Sequence, residues 1–273
     1  MRSVFHSYAG PVRGERPVGA ITRGTTSPNR LRRCDRWLLA TQAARLRQAP
    51  AVPIVVDLGY GASPITAVEL RDRVRRVRPD ARVVGIEIDP ERVAAAQPFT
   101  GNGLSFVRGG FELPVPGQVT VVRAFNVLRQ YDESDVAGAW SRLQERLTPD
   151  GLVIDGTCDE IGRVMTWVAL DRAGPVSLSL SLRLRGLNTP SIVAERLPKA
   201  LIHRNVPGER IHAFLRAVDH AWAKAGPHAS YGVRQRFVAT ATSLRADGWP
   251  LVDQPSRWRL GELSVAWEAV APA

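Results

Sequence analysis

The apolar positions change rhythm along the chain, and each change marks a different kind of element. Leu31, Trp37, Leu38 and Leu46 can share one side of a helix, with arginines on the other. This predicts a helix over 28–48, ended by Pro50 and Pro53. From residue 54 the pattern becomes short, unbroken apolar runs over 54–58, 82–88, 104–107, 119–124 and 152–155. Runs of this kind suit strands buried on both faces. Helical segments over 64–77, 90–97 and 133–147 separate them, the second opening on Asp89 as N-cap and Pro90 at its first position. Strands alternating with helices at this spacing predict a mostly parallel α/β sheet.

Beyond residue 160 the alternation breaks. Residues 164–169 and 176–182 read as a two-stranded ribbon, and the serines alternating through the second strand predict one wet face. Helices over 208–225 and 229–246 follow, then closing strands over 250–252 and 258–270. The organisation expected is a basic arm and helix over 1–50, a core over 51–159, a ribbon-and-helix insertion over 160–240 forming a pocket, and closing strands over 241–273.

The most informative segment joins the first two strands. In Val56-Asp57-Leu58-Gly59-Tyr60-Gly61-Ala62-Ser63-Pro64, Gly59 permits a sharp turn and Gly61 a close backbone approach. Ser63 and Pro64 suit the start of a helix, whose free N–H groups favour an anion. Glu87, at the end of the next strand, is placed to accept hydrogen bonds from both hydroxyls of a ribose. Together these fit an adenosine-containing cofactor. A dinucleotide fingerprint requires a third glycine where Pro64 stands, which disfavours NAD.

Composition and charge refine the picture. The 273 residues carry a net charge of +11, and all but Lys199 and Lys224 of the 37 basic residues are arginine. Residues 1–50 hold ten arginines against Glu15 and Asp35, so the excess is concentrated there. Such an arm attracts anions, nucleic acid among them. Cys34 and Cys158 form no disulfide framework or zinc motif, and the setting expected is reducing and cytoplasmic. No apolar run approaches the roughly 18 residues needed to span a membrane, and residues 1–20 lack the apolar core of a signal peptide.

Residues 52–158 resemble the class I, Rossmann-like methyltransferases that use S-adenosylmethionine. The segment 56–61 is similar to the family's first motif, Ala124-Phe125-Asn126-Val127-Leu128 to its fourth-strand motif, and 146–152 to the signature leading into its fifth strand. The resemblance implies a seven-stranded, mostly parallel sheet with an antiparallel closing strand. It implies cofactor binding by Asp57, Gly59, Tyr60, Gly61, Glu87, Ile88, Gly110, Phe111 and Asn126, with Arg23 or Thr25 near the methionine carboxylate. The family's frequent aspartate after the third strand is missing from Gly109-Gly110-Phe111, leaving packing by Phe111 or substitution by Glu112 as alternatives for the adenine.

Methyl transfer is an in-line displacement on an activated sulfonium, so the protein supplies mainly positioning and sometimes a base, and no metal is expected. Asn126 is the residue expected beside the methyl, and His203, in a compact basic loop, is the candidate base. The function expected is methyl transfer to a small or medium-sized acceptor. The alternatives are an RNA methyltransferase using the basic arm and a non-catalytic protein that binds the cofactor.

Overall fold

The computed structural model describes residues 17–21 and 24–273. Among them the strands are β1 (Ile54–Leu58), β2 (Arg82–Glu87), β3 (Leu104–Arg108), β4 (Val119–Phe125), β5 (Leu147–Cys158), β6 (Val164–Leu170), β7 (Pro175–Leu182) and β8 (Glu262–Ala266). They form one sheet in the order β3-β2-β1-β4-β5-β6-β7-β8. The first five pair in parallel, and β6, β7 and β8 each pair antiparallel to the strand before.

The helices are α1 (Arg32–Thr41), α2 (Ala43–Arg47), α3 (Ile65–Val74), α4 (Pro90–Ala96), α5 (Glu133–Glu145), α6 (Lys199–Ile202), α7 (Arg210–Lys224), α8 (Val233–Ala246) and α9 (Pro255–Trp258). Alternate residues of the central strands point to opposite cores, as the two-residue period of a strand requires. Val55, Val83, Val121 and Ile154 face Leu38 of α1 and Leu70 of α3. Val56, Val84, Val122 and Val153 belong to the other core, with Leu143 of α5, Phe214 of α7 and Phe237 of α8. The expected helix over 28–48 is broken at Gln42 into α1 and α2.

Three expectations change. The sheet has eight strands rather than seven, because the 164–182 ribbon is hydrogen-bonded onto β5 and continues the core sheet. The closing strand is β8 alone; Leu251 adds an isolated bridge to Val265, and Pro255–Trp258 is helical. The serine face of β7 is also dry. Ser177, Ser179 and Ser181 are buried, the Ser179 and Ser264 hydroxyls meet at 2.8 Å, and Arg33 of α1 reaches the Ser181 hydroxyl. Alternation marks two faces of a strand, but small hydroxyls bonded to neighbouring groups are as compatible with burial as with water.

Strand β1 lies between β2 and β4, so the chain leaves it in one direction along the sheet and later returns on its other side. Ligands in open parallel sheets bind beyond the carboxyl ends of the strands at such a point.

Candidate functional site

The β1–α3 loop lies at that point. Gly59 and Gly61 have φ of +66° and +81°, backbone that glycine adopts without strain. A Cβ on Gly59 would meet Val127 at 2.6 Å, and one on Gly61 would meet the Thr26 hydroxyl at 2.8 Å and the Gly24 carbonyl at 3.2 Å. The close approach at Gly61 is therefore made by the chain's own 24–26 segment, whose Thr26 hydroxyl donates to the Tyr60 carbonyl at 2.8 Å. Ser63 caps weakly: its hydroxyl oxygen accepts from the Ile65 N–H at 3.4 Å, and Pro64 occupies the N-cap of α3.

Asp57 is held from behind. Its carboxylate accepts from Arg123 of β4 at 2.8 and 3.0 Å and from the Thr66 hydroxyl at 2.9 Å. Arg123 is fully buried and is also paired with Asp35 of α1, whose second oxygen meets Arg73. Burial works against the Arg123 charge, but Asp35 and Asp57 more than offset it and hold its pKa above the ordinary value. This network missed detection in the sequence. Its signal was an arginine inside the apolar run of β4, since a buried charge needs partners.

Glu87 ends β2 with its carboxylate buried. One oxygen accepts from the Gly61 N–H at 3.0 Å, the other from the Ile88 N–H at 2.9 Å, and Arg92 lies 3.6 Å away. Glu87 thus grips the glycine loop directly. Beyond β3, Gly110 donates its N–H to one oxygen of Glu112 at 2.8 Å, and Phe111 packs edge-on against Tyr131.

Two adjoining hollows share Leu58 and Gly59. The larger encloses about 780 Å³ and is lined by Asp57, Tyr60, Gly61, Asn126 and Cys158, and by the charged side chains of Arg30, Arg129, Glu160 and Arg196. The smaller encloses about 20 Å³ and is lined by Glu87, Ile88, Gly110, Phe111 and Tyr131, with Val18, Gly19 and Ala20. The structure therefore brings Asp57, Gly59, Tyr60, Gly61, Glu87, Ile88, Gly110, Phe111 and Asn126 to one edge of the sheet.

Asn126 has φ of +59°, a left-handed conformation that asparagine tolerates. Its side-chain oxygen accepts from the Cys158 N–H at 3.0 Å and its amide nitrogen donates to the Cys158 sulfur at 3.4 Å. Burial raises the pKa of that thiol, against smaller opposing effects of Arg30 and Asn126. Arg129 is held below its ordinary value, first by burial and then by repulsion from Arg196.

His203 is not brought to either hollow. It is exposed at the end of α6, and the adjacent Arg204 is tied to Glu133 at 2.6 Å and to Glu209 at 3.4 Å, so the basic loop serves α6 and its neighbours. Arg23 and the arm over 1–16 lie outside the described residues. Among the described residues no three His, Cys, Asp or Glu side chains cluster to hold a metal ion, and no helix is long and apolar enough to cross a membrane.

No protein-family model matches the chain, and neither does any curated protein. Solved structures resemble parts of it. One is described as a pericyclic reaction enzyme (18% identity, TM-score 0.38, 50% of this chain and 34% of that one). Another is magnesium protoporphyrin IX methyltransferase from Synechocystis PCC 6803 with bound SAH (19%, 0.34, 51% and 64%). A third is an O-methyltransferase of neocarzinostatin biosynthesis, in complex with SAH and 1,4-dihydroxy-2-naphthoic acid (20%, 0.33, 46% and 38%). The chain spans about a third of the first of these and under two thirds of each of the others. The five parallel strands in the order β3-β2-β1-β4-β5, the glycine loop after β1 and the acid ending β2 give this chain a Rossmann-like α/β fold.

Proposed function

We propose that the chain binds S-adenosylmethionine along the carboxyl ends of β1, β2 and β4 and transfers its methyl group to a small acceptor in the larger hollow. The observation carrying this reading is the adjacency of the two hollows. The smaller is lined by Glu87 and Phe111, the groups suited to an adenosine, and it joins the larger through Gly59. At about 780 Å³ the larger has the volume of a small-molecule site.

When bound, the cofactor supplies an activated methyl that leaves its sulfonium with the bonding pair passing to sulfur. The chain's residues supply position. Glu87 fixes the glycine loop and offers a carboxylate to the ribose, and Asn126, locked to Cys158, sets the floor beside the acceptor. Arg30, Arg129 and Arg196, set against Glu160, line the larger hollow and favour an acceptor carrying an anionic group. His203 is left out of this chemistry by its position.

One observation favours a non-catalytic, cofactor-binding reading as the runner-up: of the two residues expected to be catalytic, Asn126 has its side chain tied to Cys158 and His203 lines neither hollow. Incubating the protein and a metabolite extract with methyl-labelled cofactor separates the two. Label in a small-molecule fraction supports transfer. Binding of the cofactor with no labelled product supports the runner-up.

A further inference from the structure

The smaller hollow is small because the chain fills it. The Val18 N–H donates to Glu112 Oε2 at 2.8 Å, and the Val18 carbonyl accepts from the Phe111 N–H at 3.0 Å. The next residue, Gly19, has φ of +142° and lies so close that a Cβ there would meet the Tyr131 hydroxyl at 2.8 Å and Ile88 at 3.1 Å. The Ala20 N–H then donates to the Tyr131 hydroxyl. Fit is tight on the opposite wall as well: a Cβ on Gly110 would lie 2.0 Å from the Val18 carbonyl oxygen.

The remaining volume, about 20 Å³, holds no more than a water molecule. A purine cannot enter while Val18–Ala20 is seated. What Val18 offers the wall is one donor and one acceptor side by side, met by a carboxylate and a backbone N–H. The edge of adenine carries the same pair, an exocyclic amine beside an unprotonated ring nitrogen.

We infer that Val18–Ala20 is a built-in competitor of the cofactor: it occupies the adenine-reading pair formed by Glu112 and the Phe111 N–H, and the cofactor binds only as this segment leaves. The inference rests on the cofactor reading above and adds a regulatory step to it. Apparent affinity is then the intrinsic affinity reduced by the fraction of molecules with the segment displaced. Anything that draws the N-terminal segment away raises cofactor affinity without touching the cleft.

The test is calorimetric titration of the full chain with S-adenosylhomocysteine, in wild type, Val18→Pro and Gly19→Ala. Val18→Pro removes the donor to Glu112, and Gly19→Ala puts a methyl against Tyr131 at an unfavourable φ. Both substitutions lie within the seated segment and leave Glu112, Phe111 and Tyr131 unaltered. Both variants are expected to bind about tenfold more tightly, the scale of one hydrogen bond to a charged group. Hydrogen exchange on the wild type gives an independent readout: saturating ligand is expected to speed exchange at the Val18 and Ala20 amides while Phe111 stays protected. Unchanged or weaker binding by both variants, or slower exchange at Val18 and Ala20, would overturn the competition while leaving the cofactor reading intact. No binding by any of the three proteins would remove the cofactor reading and this inference together.

Discussion

Arg123 and Asp57 face each other in the interior, on adjacent strands, with the guanidinium Nε 3.0 Å from one carboxylate oxygen and Nη2 2.8 Å from the other. Asp35 closes the guanidinium's other side, so the last residues of β1, the start of α3 and α1 are tied to one buried cation. The glycine loop begins two residues after Asp57 and inherits its position from this network.

Removing the cation leaves buried Asp57 with only the Thr66 hydroxyl, and buried Asp35 with Arg73 alone. Arg123→Met is expected to destabilise the protein by about 3–5 kcal/mol, measured by urea unfolding. A loss below about 1 kcal/mol, the scale of an exposed ion pair, would contradict the role assigned to Arg123.

Gly61 is required by the segment crossing it. Gly61→Ala places a methyl 2.8 Å from the Thr26 hydroxyl at φ +81° and is expected to cost about 1–3 kcal/mol. Proteolysis should then cut first near 24–26. Unchanged stability and an unchanged cleavage pattern would show that this segment does not rest on the loop.

Asp155 gives a pH dependence. It is buried, with Trp140 Nε1 donating to it at 3.0 Å, and burial pushes its pKa up to about 7, against a smaller lowering by that bond. Below about pH 4 the carboxyl is protonated in both folded and unfolded chains. As pH rises from there to about 7 the unfolded chain releases its proton first, so stability falls across this window and is flat above it. The drop attributable to Asp155 is up to roughly 4 kcal/mol. Asp253, pushed up to about 6 mainly by burial, acts in the same direction over the lower part of the window. Asp155→Asn should flatten most of the slope in denaturation midpoints measured between pH 4 and 8. An unchanged slope would refute the assignment.

The elements around the cleft were legible because local signals agree there. The apolar run at 54–58 is β1, and Asp89 caps α4 by accepting from the Glu91 N–H at 2.9 Å. Glycines with left-handed backbone stand where the loop sequence demanded them. What the sequence hid depends on distant partners. Asp35 and Arg123 are 88 positions apart, and Val18 and Glu112 are 94 apart; no local period links either pair. Glu112 was visible as an acid near the expected adenine wall, but only the fold shows which group it meets. The ribbon was legible as two strands, while its pairing with β5 was not, because edge choice is decided by packing. His203 was singled out by composition of its loop, and composition does not report distance from the cleft.

In the function proposed for this protein, the cleft ending at Glu87 holds an adenosyl cofactor. Calorimetric titration with S-adenosylhomocysteine, comparing wild type with Glu87→Ala, tests it most directly. The account predicts sub-millimolar binding by the wild type, weakened at least about tenfold by the loss of the carboxylate. Absence of wild-type binding at millimolar ligand, or equal binding by the two proteins, would contradict it.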